Sequence, residues 1–337
     1  MPDCPFIKVI GKTLNFVYYS DVGGGEKEAE TLKTVEIRPG DSISAALDGA
    51  EPGTRLVLAP GTYREKLEIY VPDIELCGSG AEQTRIVWDD YAKKLDEKGV
   101  EYNTFRTYTA AVLAPGVSFR DITVENDALA PETKGQEVAL TVCADRFLAE
   151  NCRFLSTQDT VFCGSLPPDL IIRYDGFLKD PLRKGGDMRQ VFRKCLIAGN
   201  VDFIFGCGDS LFEECEIRSV YDVRGHGYTA APAHEPAQSV GFVFDRCRFT
   251  CEDKVADGSI FLARPWRDHG KCSFISCEYG RHISAEGFDK WNDTERDKTA
   301  RFSEYGDIPP GRVPWSRRIT DAQRDELLEA FRRPAKP

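Results

Sequence analysis

Two aspartates of this 337-residue chain occupy the same place in a short repeated pattern. Asp159 lies seven residues after Cys152 and Asp202 seven residues after Cys195, and both continue as x-[Val/Ile]-Phe. If each copy is one coil of a repeating structure, the two carboxyl groups lie side by side, because neighbouring strands are about 4.8 Å apart. Two close carboxyl groups cannot both ionise cheaply, so one becomes an acid while the other stays charged. The pattern therefore predicts catalysis by paired carboxyl groups.

The ordinary role of a lone aspartate in such a segment is to cap a turn. Recurrence at an equivalent position favours a functional role for Asp159 and Asp202. Asp222 also lies seven residues after a repeat cysteine, but the rest of the pattern does not follow it, so we interpret it as a turn residue. A serine nucleophile has less support, because the sequence has no Gly-x-Ser-x-Gly elbow and its four histidines accompany no repeated nucleophile.

The elements that carry the two aspartates are predicted to be short strands. From residue 55 onward, brief apolar runs alternate with turn residues, and no long helical period intervenes. One strand pattern recurs at several cysteines, and four copies carry phenylalanine three residues earlier, namely Phe192, Phe212, Phe244 and Phe274. The spacing between successive repeat cysteines is unequal, which is typical of a solenoid whose coils carry loops of different length. We therefore predict an all-β parallel β-helix, with ladders of Cys, Phe and Ile in its core, rather than a β-sandwich.

Both ends of the β region carry helix signals. Residues 41–49 predict a short helix, capped by Asp41 or Ser42 and ended by Gly49, that plugs the end of the solenoid. Residues 320–331 predict a helical tail packed on the outside of the solenoid.

Three long segments are predicted to be loops that wall a groove, namely 91–106, 164–190 and 220–238. Long loops on one side of a rigid stack are natural places for binding and catalysis. We interpret residues 1–32 as an N-terminal extension packed on the solenoid and residues 33–337 as one β-helix domain.

Composition limits the partners of the chain. The net charge of -11 argues against a nucleic-acid partner, and an apolar share of 41% supports a sizeable core. No apolar run approaches the roughly 20 residues of a membrane helix. The first residues lack the basic and apolar regions of a signal peptide. We expect a cytoplasmic monomer, or a secreted protein if a signal has been removed.

The twelve cysteines form no C-x-x-C pair and have no zinc-like spacing to histidines. Reduced thiols that act as small buried apolar groups are the default expectation, and a disulfide framework is the less favoured alternative. We expect neither a metal nor a cofactor.

Four motifs, in order along the chain, resemble those of the pectin methylesterases (pectinesterases), a family of right-handed parallel β-helices. They are Gly135-Gln136-Glu137-Val138-Ala139-Leu140, Gln158-Asp159-Thr160, Gly-Asn-Val-Asp-Phe-Ile-Phe-Gly at 199–206, and Arg264-Pro265-Trp266. Weaker matches lie at 61–65, 107–109 and 286–291, so that the resemblance covers about residues 33–331. Any one motif alone would be weak, whereas four ordered motifs are highly specific.

The resemblance implies a carboxylic ester hydrolase that removes C6 methyl esters from the galacturonate units of pectin or methylated oligogalacturonides and releases methanol. By this likeness Asp202 attacks the ester carbonyl, and Asp159 protonates the leaving methoxide and then activates water. Gln136 and Gln158 would donate hydrogen bonds to the oxyanion. Arg264 would hold Asp202 in place and keep it ionised.

A groove in which aromatic faces contact sugar rings is a further implication of the resemblance. It places Phe162, Trp266 and Trp291 in the groove, although large aromatic side chains belong more often to a core. The full set of predicted substrate-binding residues is Thr109, Phe162, Phe205, Trp266, Phe288 and Trp291.

Three residues depart from the family pattern. Glu137 stands in place of the usual Ala, Asn200 in place of the usual Thr, and Ala263 in place of the usual Gly. None of these three differences removes a chemical group that the implied reaction uses. Glu137 follows a predicted oxyanion donor, so it could lower the activity or shift the pH optimum.

Two other hypotheses stay open. A β-helical polygalacturonase that hydrolyses with inversion at the anomeric carbon would need carboxyl groups about 6.5–9.5 Å apart. A polysaccharide lyase would need a calcium-binding cluster of aspartates, which the sequence lacks. A catalytically inactive β-helix would bind acidic glycans without releasing methanol. The products distinguish them, because only the esterase releases methanol without shortening the chains.

Overall fold

We describe the chain from a computed structural model, which covers residues 9–10, 13–16, 32–176, 178–183 and 188–332. Its strands stack into a parallel β-helix, in which successive coils contribute one strand to each of three sheets. The predicted all-β solenoid is therefore confirmed. Most of the predicted N-terminal extension, residues 1–32, lies outside the described residues.

The strands divide among three sheets as follows. Within the described residues, sheet 1 has thirteen strands, which follow one another in the order β1 (Val9–Ile10), β2 (Thr13–Phe16), β3 (Leu32–Ile37), β4 (Arg55–Leu58), β7 (Glu75–Cys77), β10 (Ser118–Arg120), β13 (Phe147–Glu150), β16 (Arg189–Arg193), β19 (Asp209–Glu213), β22 (Phe242–Asp245), β25 (Lys271–Ile275), β27 (Arg301–Tyr305) and β28 (Arg317–Arg318). Sheet 2 contains β5 (Gly61–Tyr63), β8 (Thr84–Trp88), β11 (Thr123–Asn126), β14 (Arg153–Leu155), β17 (Leu196–Gly199), β20 (Glu216–Ser219), β23 (Arg248–Cys251) and β26 (Glu278–Tyr279). Sheet 3 contains β6 (Leu67–Ile69), β9 (Ala110–Val112), β12 (Leu140–Val142), β15 (Val161–Cys163), β18 (Val201–Gly206), β21 (Gly227–Pro232) and β24 (Ile260–Ala263). The pairing is parallel except where β2 lies antiparallel to β1 and β3.

Helices are few and short. The described part of the chain forms α1 (Ile43–Asp48), α2 (Pro131–Lys134), α3 (Pro168–Arg173) and α4 (Asp321–Glu329). Single 3₁₀ turns occur at Thr104–Arg106, Asp180–Arg183 and Arg296–Lys298. No helix among the described residues has the length and apolar character needed to cross a membrane.

The core is built from ladders of identical residue types on consecutive coils. In sheet 1, Phe192, Phe212, Phe244 and Phe274 stand opposite one another on β16, β19, β22 and β25. Their rings stack with centroids 4.9, 4.7 and 4.8 Å apart, which is the spacing of neighbouring strands. All four side chains are fully buried. The predicted phenylalanine ladder is therefore confirmed.

A second ladder runs along the corner where each coil turns from sheet 1 to sheet 2. The eleven described cysteines are all free thiols, and five of them form this predicted ladder, namely Cys152, Cys195, Cys215, Cys247 and Cys277. The residue before each of these cysteines has a left-handed backbone, with φ between 50° and 54° at Asn151, Lys194, Glu214, Arg246 and Ser276. This conformation costs roughly 1–2 kcal/mol per non-glycine residue, so the stacking of the coils must impose it.

Helix α1 covers the N-terminal end of the main core, as predicted. Ser42 caps its first turn, and Gly49 follows its last residue. The Glu65 carboxylate accepts a hydrogen bond from the N–H of Ile43 at 2.7 Å, which places a negative charge at the positive end of the helix dipole. Ile43 and Leu47 are buried in the core.

Helix α4 lies on the outward face of sheet 1, as the sequence also predicts. Thr320 begins it with a capping box. Leu327 packs against Val243 and Ile275, which point away from the solenoid interior.

Two of the three predicted loops flank sheet 3. Residues 91–106 connect sheet 2 to sheet 3, and the predicted loop 164–190 connects sheet 3 to sheet 1, although Arg189 and Gln190 already belong to β16. The prediction that all of 220–238 is a loop is wrong, because Gly227–Pro232 forms β21 and pairs with β18. Every residue of β21 is buried, so it lacks the alternation by which a strand is usually recognised in sequence.

Candidate active site

Sheet 3 brings the two repeated aspartates onto neighbouring coils. Asp159 lies two residues before β15, Asp202 lies within β18, and these strands pair in register. The N–H of Asp159 donates to the C=O of Val201 at 3.1 Å. Asp159 is 8% exposed and Asp202 is 9% exposed. The structure thus places the two carboxyl groups side by side, as the repeat predicts.

The backbone around these aspartates is tightly constrained. Asp159 and Asp202 have left-handed φ angles of 63° and 51°, a conformation that aspartate tolerates better than most residues. A Cβ atom at Gly199 would lie 2.3 Å from Cβ of Phe203. A Cβ atom at Gly206, where φ is 128°, would lie 2.0 Å from a carbonyl oxygen of the preceding coil. The two glycines of this motif therefore allow the coil to pack closely beneath the site.

Arg264, just after β24, reaches across two coils to Asp202. Its Nε and Nη2 atoms donate to the two carboxylate oxygens at 2.8 and 2.6 Å. The guanidinium lies between two aromatic rings, 3.7 Å from the centroid of Tyr228 and 4.0 Å from that of Trp291. Such a two-point, stacked contact fixes the orientation of the carboxylate as well as its charge.

The surroundings act unequally on the two carboxyl groups. Burial, and then the neighbouring Asp202, raise the pKa of Asp159 well above its ordinary value. Burial also raises the pKa of Asp202, but the charge and hydrogen bonds of Arg264 oppose that rise. Asp202 therefore ionises first, and Asp159 keeps its proton to higher pH. This division supplies one charged carboxylate and one neutral acid.

Gln158 is oriented by Arg224, which the sequence analysis did not select. Nη1 of Arg224 donates to Oε1 of Gln158 at 2.8 Å. Asp222 holds the same guanidinium through both carboxylate oxygens, at 2.8 and 2.6 Å. Because the amide oxygen accepts from Arg224, the amide N–H groups are left to donate elsewhere, and Gln158 offsets part of the rise in the pKa of Asp159. Gln158 is thus presented to the site as a donor.

Gln136 lies on the coil before Gln158. Its side chain is half-buried, and its C=O accepts a hydrogen bond from the N–H of Ala92 at 3.0 Å. The two predicted oxyanion donors therefore come from adjacent coils.

Four predicted binding residues lie near the aspartates. Phe162 and Phe205 are buried, with ring centroids 5.0 Å apart. Trp266 packs on Phe205 at 5.8 Å and remains partly exposed. Trp291 is also partly exposed and covers Arg264. Trp266 and Trp291 therefore offer aromatic surface beside the site. Contrary to the prediction, Phe162 and Phe205 present no exposed ring face to a sugar and pack beneath it instead.

Two further predicted binding residues lie in the core instead. Thr109 is fully buried, and its hydroxyl donates to the C=O of Glu125 at 2.9 Å. Phe288 is 1% exposed and packs against Phe302 and Trp315, at 5.2 and 6.0 Å between centroids. Contrary to the prediction, the structure assigns both side chains to the interior, because each points into the solenoid from its strand or turn.

Three residues near the site were missed or undervalued by the sequence analysis. Asp222 repeats the spacing of the two aspartates from a cysteine, and Arg224 follows it by two residues, so a signal for this pair existed. Tyr228 carries no such signal. Its contact with Arg264 depends on the pairing of β21 with β24, which only the tertiary structure reveals.

The sequence matches the Pectinesterase family over residues 28–166 and 179–326. It is 32% identical over 298 residues to "Pectinesterase 31" of Arabidopsis thaliana, covering 83% of this chain and 84% of that protein. It is 31% identical over 321 residues to "Pectinesterase QRT1" of the same plant, covering 91% of this chain and 73% of that protein.

Solved structures show the same likeness. The pectin methylesterase from Yersinia enterocolitica superposes with a TM-score of 0.71 at 26% identity, covering 86% of this chain and 96% of that one. A pectin methylesterase in complex with a hexasaccharide superposes with a TM-score of 0.72 at 25% identity, covering 86% of this chain and 92% of that one.

Fold and site together define a class, the carboxylic ester hydrolases built on a right-handed parallel β-helix with paired aspartates. Within that class, the chain belongs to the pectinesterase family.

Proposed function

We propose that this chain hydrolyses the C6 methyl esters of galacturonate units in pectin or in methylated oligogalacturonides, giving methanol and free carboxylate. The observation that carries the proposal is the two-point contact of Arg264 with Asp202, beside an Asp159 whose pKa is raised by burial and by Asp202. An ionised nucleophile next to a neutral acid is what acyl transfer from an ester needs. The family and the structural neighbours support the same reaction.

The first step forms an acyl-enzyme. A carboxylate oxygen of Asp202 attacks the ester carbonyl carbon, and the negative charge moves to the former carbonyl oxygen. Gln136 and Gln158 donate hydrogen bonds to that oxygen. The bond to the methoxy group then breaks, and Asp159 gives its proton to the departing oxygen. Methanol leaves, and Asp202 is joined to the galacturonate as a mixed anhydride.

Water completes the reaction in the second step. Asp159, now a carboxylate, accepts a proton from a water molecule whose oxygen attacks the anhydride carbonyl carbon. The bond to Asp202 breaks, and its carboxylate is restored. Asp159 is protonated again, and the product leaves as the free acid, so one water is consumed for each methanol released.

The remaining residues of the site have supporting roles in this proposal. Arg264 stabilises the charged form of Asp202 before the attack on the ester and again after the anhydride is hydrolysed. Arg224 keeps the Gln158 amide turned as a donor. Trp266 and Trp291 supply flat apolar faces beside the reacting carbon, and such faces suit the C–H surfaces of sugar rings. Because all these groups come from one chain, we propose that it acts as a monomer.

Methanol release and polymer length, measured together on highly methylated pectin, test the proposal. Methanol without shorter chains is the expected result. Shorter chains would support a polygalacturonase or a lyase instead. Retention of pectin without either product would support a β-helix that only binds acidic glycans.

A further inference from the structure

Glu137 lies beside the proposed catalytic residues but takes no part in the steps above. Its N–H donates to the C=O of Gln158 at 3.1 Å, and it directly follows Gln136 in the chain. The residue is 0% exposed. The Glu137 backbone thus adjoins Gln136 in the chain and Gln158 across the coils, and its carboxyl group is buried on the coil next to that of Asp159.

The carboxyl group of Glu137 is incompletely hydrogen-bonded. Its Oε2 atom accepts a hydrogen bond from the hydroxyl of Thr157. Its Oε1 atom is buried and has no hydrogen-bond partner within the part of the chain that the structure describes. A buried carboxylate needs several donors to replace its hydration, whereas a neutral acid needs fewer. This geometry favours the protonated form.

The charges around Glu137 do not compensate for its burial. Burial raises the pKa of Glu137 to about 7, and the hydrogen bond from Thr157, then Lys134, lower it only in part. Glu132 raises the pKa further, and Arg224 opposes it weakly. Arg224 is already held by Asp222 and Gln158, and the Lys134 ammonium donates to the C=O of Ala128. Glu137 is thus a titratable acid in the neutral pH range.

We propose that the ester hydrolysis requires Glu137 in its protonated, uncharged form and that ionisation of Glu137 suppresses the reaction. The inference rests on the proposed function, because an ionised Glu137 would repel the negative charge of the oxyanion. That charge develops on the substrate oxygen bound by Gln136 and Gln158. A carboxylate at Glu137 repels it through a poorly solvated interior, where charges interact more strongly than in water. Glu137 therefore adds an alkaline limit of activity that the alanine usual in the family would not impose, in addition to the loss of the Asp159 proton on which the acid step depends.

The test is the pH dependence of kcat/KM for methanol release from about pH 5 to about pH 9, compared between wild type and Glu137 variants because Asp159 also has a raised pKa and contributes to every profile. Wild type should lose about tenfold in kcat/KM with an inflection near pH 7. Glu137→Gln keeps the size and the Thr157 contact without the charge, and should lose that inflection. Glu137→Ala should behave likewise, which keeps the test usable if one variant folds poorly. Glu132→Gln, which removes an exposed charge nearby, is the matched control: it should keep the inflection but move it slightly to lower pH, because Glu132 raises the pKa of Glu137.

Two outcomes would overturn the inference in distinguishable ways. Methanol release from Glu137→Gln and Glu137→Ala with the wild-type inflection would remove Glu137 from this role and leave the proposed function intact. No methanol from wild type at any pH would remove both. A carboxyl infrared band that titrates near pH 7 in wild type, and is missing in Glu137→Gln, is the expected independent signature. Its presence in Glu137→Gln would assign the titration to another group.

Discussion

The guanidinium of Arg224 and the side-chain oxygen of Gln158 lie 2.8 Å apart, although 66 residues separate them in the chain. This contact decides which end of the amide faces Asp159. An amide turned the other way would present an oxygen to a developing negative charge, and repulsion would replace stabilisation. Arg224 is therefore a positioning residue that acts through Gln158.

Removing this contact should affect turnover more than binding. We expect Arg224→Met to lower kcat by about 10–100-fold and to change KM by less than about threefold, because an oxyanion donor acts mainly in the transition state. Arg224→Lys keeps one donor without the two-point contact to Asp222, so its kcat should lie between those of wild type and Arg224→Met. The control is Arg85→Met, which removes an arginine paired with Glu125 on sheet 2. A rise in KM with unchanged kcat would instead make Arg224 a substrate-binding residue.

Tyr228 should matter through its ring rather than its hydroxyl. The ring lies 3.7 Å from the Arg264 guanidinium and holds one face of it. Tyr228→Phe keeps that face and should retain kcat within about twofold, whereas Tyr228→Leu should lose about tenfold, the effect expected for a partly desolvated cation–π contact. Steady-state kinetics on methylated pectin measure the difference. Equal losses in the two variants would point to the hydroxyl.

The pairing of Asp159 with Asp202 was predictable from the sequence because it depends on a repeat. A recurrent Cys-x6-Asp pattern fixes the register of neighbouring coils, and register alone brings the two side chains together. The Phe192 to Phe274 ladder was predictable for the same reason. Neither the aspartate pairing nor the phenylalanine ladder depends on the conformation of the loops.

Contacts between different elements could not be read from the pattern. Arg224 meets Gln158 only because the segment before β21 folds back over sheet 3, and the repeat does not encode that path. Thr109 and Phe288 belong to motifs of the family, but motif membership does not say which way a side chain points. Their burial in the core emerged only from the structure.

The stacked phenylalanines should dominate the stability of the central coils. Phe244 is fully buried and stacks on Phe212 and Phe274. Phe244→Ala should lower the free energy of unfolding by about 3–5 kcal/mol, and Phe244→Leu should lower it less, because it leaves a smaller cavity. Val100→Ala removes an exposed apolar group and should change it by less than about 0.5 kcal/mol. Denaturant unfolding checks the order; equal values for Phe244→Ala and Val100→Ala would refute the ladder's contribution.

Asp159 should make the folded state less stable as the pH rises. Burial, and then Asp202, raise its folded-state pKa above the ordinary value of about 3.9. Between those two values the folded state binds more protons than the unfolded state, so stability falls as the pH increases. We expect Asp159→Asn to raise the unfolding temperature near about pH 7 and to leave it unchanged near about pH 3, where both states are protonated. An unfolding temperature below that of wild type near neutrality would contradict this electrostatic account.

The central claim is that Asp202 is the nucleophile. The most direct test compares methanol release from highly methylated pectin by wild type and Asp202→Asn, with a chelator present and with pectin binding and unfolding measured in parallel. The account predicts methanol from wild type despite the chelator, and release at least about 10³-fold slower from a folded, pectin-binding Asp202→Asn. Near wild-type methanol release by Asp202→Asn would show that another group attacks the ester.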